Sequence, residues 1–190
     1  VKQYKENDKN PPQHDNRQYI ALLPGSRKQE LRRMLPPMLN LAEKHPEYRF
    51  VIAGMHLLGK KFYEKLLEGR NLPNVEIRYD KTYEILSQSH AALVCSGTAT
   101  LETALFGVPQ VVCYRANALS VAIARHFIGK NIQYISLVNL IADKPIVKEL
   151  IQNDFSVDDL EASLHGITEN ARRQQIIDGY NYVKDILGQE

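Results

Sequence analysis

The run Ala91-Ala92-Leu93-Val94-Cys95, followed by Ser96-Gly97-Thr98-Ala99-Thr100-Leu101-Glu102, decides the fold. An unbroken apolar run of this length suits a strand buried on both faces. The small hydroxyl residues around Gly97 suit a turn into a helix, and the residues through Phe106 continue that helix to a glycine stop at Gly107. Pro109 then leads into the next apolar run.

The same strand–turn–helix unit repeats outward in both directions. Strands are expected at Tyr19 to Leu23, Arg49 to Ala53, Val75 to Arg78 and Gln110 to Tyr114, with a weaker one at Tyr134 to Leu137. Helices are expected at Gln29 to Lys44, Gly59 to Leu67, Lys81 to Ser89, Ala118 to Ile128, Ile146 to Gln152, Val157 to Leu164 and Asn170 to Leu187. Pro36 is expected to break or restart the first of these, and Ser156 to cap the helix that follows it. Strands alternating with helices imply an α/β fold. Right-handed crossovers make it a Rossmann-like, doubly wound parallel sheet of about six strands.

Bulk properties narrow the function classes. The 190 residues carry a formal charge of +2, with 44% hydrophobic and 24% charged residues, ordinary for a globular protein and too weakly basic to point to nucleic acid. There is no apolar run of transmembrane length, and the polar start has no signal-peptide character. Cys95 and Cys113 sit in apolar runs and read as buried hydrophobes of a reducing cytoplasm, and the histidines lack metal-ligand spacing. Residues 1–18 read as a flexible polar arm, 19–168 as the domain, and 169–190 as a C-terminal helix. The absence of an initiator methionine at Val1 points to a piece of something longer.

Ligands of an open parallel sheet bind at the carboxyl ends of its strands, so the turns after the strands carry the chemistry. In Pro24-Gly25-Ser26-Arg27, followed by Glu30, Gly25 admits close backbone approach, the helix start offers free N–H groups, and Arg27 offers a planar fork suited to a diphosphate. A plain strand-to-helix junction, with Ser26 as N-cap and Arg27 in solvent, fits the same residues. At Ser96 to Glu102, backbone amides and hydroxyls converge on an anion, and Glu102, one turn beyond Thr98, suits a ribose diol. A well-capped helix with Glu102 at its positive end is the structural alternative. The P-loop and dinucleotide glycine fingerprints are absent.

Taken together, Pro24-Gly25-Ser26-Arg27 with Glu30, Ser96-Gly97-Thr98-Ala99-Thr100-Leu101-Glu102, Gly107-Val108-Pro109, Tyr114-Arg115, and Asn139-Leu140-Ile141 with Glu149 and Gln152 resemble the C-terminal half of the lipid-A-disaccharide synthase family. The resemblance runs from about Tyr19 into the last helices and implies the C-terminal domain of a GT-B glycosyltransferase. It implies that Gly25, Ser26 and Arg27 hold the UDP diphosphate, that Ser96, Gly97, Thr98 and Thr100 line the same pocket, and that Glu102 takes the ribose. Tyr79 and Asp80 would lie along the uracil, and Asn139 and Gln152 would face the donor sugar. Val138 and Lys148 stand where the family usually has proline.

The implied reaction is a hexosyl transfer of lipid A biosynthesis in Gram-negative bacteria. It moves 2,3-diacylglucosamine from UDP to 2,3-diacylglucosamine 1-phosphate with inversion, without metal or cofactor. The general base is expected in an N-terminal half, so no catalytic residue is assigned. Implied partners are the UDP-sugar, the lipid acceptor and that other half, onto which the last helix would pack. If instead Ile176, Ile177, Tyr180, Val183 and Ile186 are left uncovered, self-association is the expected outcome. Arg32, Arg33, Lys60 and Lys61 suit either an inner-membrane surface or plain solvated helix faces. The expected location is the cytoplasm, with peripheral membrane contact as an option. Another UDP-N-acetylglucosamine transferase, a UDP-sugar 2-epimerase, and a non-catalytic nucleotide-binding module are the competing readings.

Overall fold

A computed structural model describes residues 17–115 and 133–188. The helix expected at Ala118 to Ile128 and most of the N-terminal arm lie outside them. In chain order the elements are β1 (Tyr19–Leu23), α1 (Lys28–Lys44), β2 (Arg49–Gly54), α2 (Lys60–Leu67), β3 (Val75–Tyr79), α3 (Thr82–Gln88), β4 (Ala91–Cys95), α4 (Thr98–Phe106), β5 (Gln110–Tyr114), α5 (Leu137–Ala142), β6 (Lys148–Ile151), α6 (Val157–Thr168) and α7 (Asn170–Leu187). The strands form one parallel sheet in the order β3-β2-β1-β4-β5-β6. This is the doubly wound arrangement, with its switch point between β1 and β4.

Both sheet faces are covered, which is why the central strands are apolar throughout. Alternate residues of a strand point to opposite faces. Ile20, Leu22, Phe50, Ile52 and Leu93 join the larger core with the buried stripe of α1, from Leu31 to Ala42, and with residues of α6 and α7. Tyr19, Ala21, Leu23, Val51, Ala92 and Val94 join a second core with Ile85, Leu86 and Phe106.

Pro36 does not interrupt α1. The helix runs unbroken from Lys28 to Lys44 with Pro36 and Pro37 inside it. The prolines leave the carbonyls of Arg32 and Arg33 without helical donors. Those two residues lie on the outer side, Arg32 exposed and Arg33 partly so, where solvent is at hand for their carbonyls.

The sixth strand also differs from expectation. Tyr134 to Leu137 is not a strand, and Ile146 to Gln152 is not a helix; β6 occupies Lys148–Ile151 and pairs with β5 from Val111↔Lys148 to Tyr114↔Ile151. The reason is a carboxylate clasp. Glu149 accepts from the backbone N–H groups of Ile135 and Ser136, both at 3.0 Å, from the Ser136 hydroxyl at 2.7 Å and from the Asn139 amide at 2.9 Å. Asn139 also donates to the Val147 carbonyl and accepts from the Val147 N–H, mimicking a strand pair. Ser136 caps α5, accepting from the Asn139 N–H.

The last helix packs inside this chain. Ile176, Tyr180 and Val183 are buried in its core, while Ile177 and Ile186 are half-buried. Tyr180 donates its hydroxyl to the Val108 carbonyl and accepts from Gln110. Gly179 is required by close approach, since a Cβ there would sit 2.5 Å from Ile146 Cγ2.

Two stability outcomes follow from these contacts. Glu149→Ala strands several buried donors and should cost at least about 2 kcal/mol in denaturant unfolding. Gly179→Ala would stabilise an open helix, yet here it should cost about 1–3 kcal/mol by overpacking. Ile146→Ala added to it should recover part of that loss rather than add to it.

Candidate functional site

The register of β1 on β4 places Leu23 opposite Val94, so the turns leaving these two strands emerge side by side. Between them lies a cavity of about 390 Å3, lined by Gly25, Ser26, Arg27 and Glu30 from one side and by Cys95, Ser96, Gly97, Thr98 and Glu102 from the other. Ala53 and Met55 close it from the end of β2. A second cavity of about 440 Å3, lined by residues Asp80 to Glu84, adjoins it. Thr82 and Glu102 line both, so the two form one cleft along the carboxyl ends of β3, β1 and β4.

The first turn is built around Glu30. Arg27, not Ser26, is the N-cap of α1, and the Glu30 carboxylate accepts from the backbone N–H of Ser26 at 3.0 Å and of Arg27 at 3.2 Å. Arg27 Nη1 reaches the other carboxylate oxygen at 3.4 Å. Gly25 has a φ of +105°, and a Cβ there would meet the Glu30 carboxylate at 2.6 Å. The room that glycine provides is therefore taken by Glu30 rather than left open to a ligand.

The second turn is open. Gly97, with a φ of +149°, is the N-cap of α4, and no atom stands within 4 Å of where its Cβ would be. The first-turn N–H groups of Thr98 and Ala99 have no acceptor within the helix, and no acidic residue lies in that turn. Ser96 donates its hydroxyl to the Ile135 carbonyl at 2.9 Å, tying the turn to the Glu149 clasp. Thr100 is fully buried and donates to the Gly97 carbonyl at 2.8 Å. It supports the turn from behind and does not line the cavity.

Glu102 stands where the two cavities meet, within reach of a ligand's hydroxyls from either. Tyr79 lies behind the cleft wall, its ring packed against Tyr63 at 5.5 Å and His56 at 4.9 Å, and burial pushes its hydroxyl pKa up. Its neighbour Asp80 does reach the cleft. Asp80 has a φ of +55° and is fixed by His56 through a ring contact of 2.7 Å and a backbone N–H contact of 3.2 Å. These hydrogen bonds hold the Asp80 carboxyl below its ordinary pKa. Cys95 has its thiol pushed up to about 11 by burial and then by the Glu30 charge, so it is no nucleophile at neutral pH.

Asn139 and Gln152 stand apart from this cleft. Asn139 is 1% exposed and its amide is spent on Val147 and Glu149. Gln152 lies in a short 3-10 turn after β6, where its carbonyl accepts from Arg115. Conversely, Thr82 and Met55 belong to the cleft though neither stands in a recognisable motif. Their signal was positional, each following the end of a strand on the carboxyl side of the sheet.

Comparison with known proteins adds the family. A family model described as Lipid-A-disaccharide synthetase matches residues 1–189. Lipid-A-disaccharide synthase of Anaeromyxobacter sp. (strain K) is 38% identical over 179 residues, covering 92% of this chain and 46% of its own length. The enzyme of the same name from Syntrophus aciditrophicus (strain SB) is 36% identical over 174 residues, or 89% and 45%. Among solved structures, spinosyn rhamnosyltransferase SpnG complexed with thymidine diphosphate superposes with a TM-score of 0.61 at 15% identity, covering 93% of this chain and 43% of that one. UDP-GlcNAc 2-epimerase from Neisseria meningitidis bound to UDP-GlcNAc gives 0.51 at 18% identity, covering 93% and 45%. At that identity these likenesses show the fold alone, one Rossmann-like half of a two-domain GT-B architecture. The chain spans about half the length of the curated relatives it matches, and by its sequence it belongs to the lipid-A-disaccharide synthase family.

Proposed function

We propose that this chain supplies the donor-binding half of a lipid-A-disaccharide synthase and holds the UDP of UDP-2,3-diacylglucosamine in the switch-point cleft. The observation that carries this reading is the meeting of three kinds of group in one cavity: the Arg27 guanidinium, the open start of α4, and the Glu102 carboxylate. A diphosphate fits the first two and a ribose diol the third. The adjoining cavity at Asp80 to Glu84 gives the uracil a place beside the ribose.

In the reaction, a base in the other half of the protein deprotonates the 6-hydroxyl of the acceptor, 2,3-diacylglucosamine 1-phosphate. That oxygen attacks the anomeric carbon from the face opposite UDP, and the anomeric configuration inverts. The leaving diphosphate gathers negative charge as the bond breaks. Arg27 and the N–H groups at the start of α4 stabilise that charge in place, without reorganising. This half prepares the leaving group and leaves acceptor activation to its partner half.

The surroundings fit work at a lipid surface. Among the described residues no helix is long and apolar enough to cross a membrane. Arg32, Lys60 and Lys61 are exposed, and the Arg32 guanidinium lies 5.7 Å from the Phe62 ring. With Arg33 they give a basic edge for peripheral contact with the anionic inner leaflet from the cytoplasmic side.

Calorimetric and thermal-shift titration with UDP, with ADP and UMP alongside, tests the reading. UDP at about 100 times its dissociation constant should add roughly 2.7 kcal/mol of stability. For a chain of this size that is a rise of several degrees in Tm. Arg27→Ala and Glu102→Ala should each weaken UDP by about ten-fold or more. An equal response to ADP and UDP, or none to either in the full-length protein, overturns the reading.

A further inference from the structure

The starts of α1 and α4, which both face the cleft, are not equivalent. That of α1 carries its own anion: Glu30 lies in its first turn and accepts from the backbone N–H groups of Ser26 and Arg27. That of α4 has no acidic residue in its first turn and only Gly97 as its cap. The Glu30 carboxylate is packed against Gly25, and Glu30 lines the same cavity as Cys95. Its side chain is 32% exposed, against 82% for Arg27, which it grips by Nη1.

We infer that Glu30 is a positioning residue of the donor pocket. Its carboxylate fills the anion place of the first turn and holds the Arg27 fork over the cleft. A nucleoside diphosphate then meets that turn through the Arg27 side chain and lays its phosphates on the start of α4. The inference rests on the donor reading above and refines it: the Ser26 and Arg27 amides serve the protein and not the ligand. A diphosphate on those amides would have to displace a carboxylate held by three donors and packed against backbone, which the fixed geometry of the turn opposes.

Two measurements test this. In the ligand-free chain, the backbone amide NMR signals of Ser26 and Arg27 should follow the titration of a carboxylate. In Glu30→Gln that response should vanish; if it persists, the carboxylate is not seated on these amides and the inference falls. The second measurement is a double-mutant cycle on affinity for UDP and for uridine. Arg27→Ala should weaken UDP by about ten-fold or more, Glu30→Ala by about three- to ten-fold, and the double variant no further than Arg27→Ala. Uridine affinity should stay unchanged throughout, whereas a merely structural Glu30 would weaken uridine and UDP alike. Tighter UDP binding in Glu30→Gln would mean that the carboxylate competes for the amides, and fully additive losses would mean that it acts apart from Arg27. Either result overturns the inference. A wild-type chain that keeps the amide titration but binds no UDP sinks the donor reading and the positioning role with it, while the seat of the carboxylate stands.

Discussion

The parallel pairing of β1 with β4 is the constraint on which the site depends. These strands are neighbours in the sheet but far apart in the chain, and their helices cover opposite faces. A crevice therefore opens between the two turns and no crossover fills it. The pairing aligns Leu23 with Val94, so the first turn and the second begin at the same height. A slip of one residue would invert every side chain of β1 between the two cores. Residues as different as Ile20 and Ala21 pack on the two sides, so burial itself holds the register.

Behind the open turn, a buried polar chain connects the site to the last helix. Thr100 donates to the Gly97 carbonyl, Gln110 donates to the Thr100 carbonyl at 2.9 Å and to Tyr180 at 3.1 Å, and Tyr180 donates to the Val108 carbonyl. Buried polar groups left unpaired are costly. A shift of α7 therefore has to be answered at the Gly97 turn or leave hydrogen bonds broken. On the other side, Ser96 is tied through the Ile135 carbonyl to the segment that Glu149 clasps. The turn that stays open to ligand is thus held from behind on both flanks.

The sheet was legible in the sequence where burial alone decides structure. Among the first five strands, β1, β2, β4 and β5 announce themselves as apolar runs, and β3 as an alternation of Val75, Ile77 and Tyr79 with Glu76 and Arg78. The region 134–152 was not legible, because its structure is decided by Glu149 reaching back to Ile135, Ser136 and Asn139, a set of contacts that local periodicity does not encode. Pro36 misled for the opposite reason: a local rule was applied where the buried stripe of α1 and its solvated outer face override it. At the site, both turns were legible from their residue types. The direction in which each side chain points was not: Thr100 and Asn139, expected to face a ligand, are both buried, Thr100 bonded to the Gly97 carbonyl and Asn139 to Val147 and Glu149.

Charge pairing in the cleft sharpens what the pocket can accept. Among the described residues its cations each have a carboxylate partner, Arg27 with Glu30 at 3.4 Å and Lys81 with Glu84 at 2.9 Å, while Asp80 and Glu102 also line the walls. Among the described residues each cation lining the cleft thus has a carboxylate beside it, which weakens its pull on a simple anion. Among the described residues, the start of α4 carries no acidic residue in its first turn and is open to a small anion. A ligand that also offers hydroxyls to Glu102 and a donor edge to Asp80 turns those carboxylates from repulsive neighbours into hydrogen-bond acceptors. On the proposed donor reading, selectivity for a nucleotide over phosphate would rest on the acidic residues as much as on the basic ones.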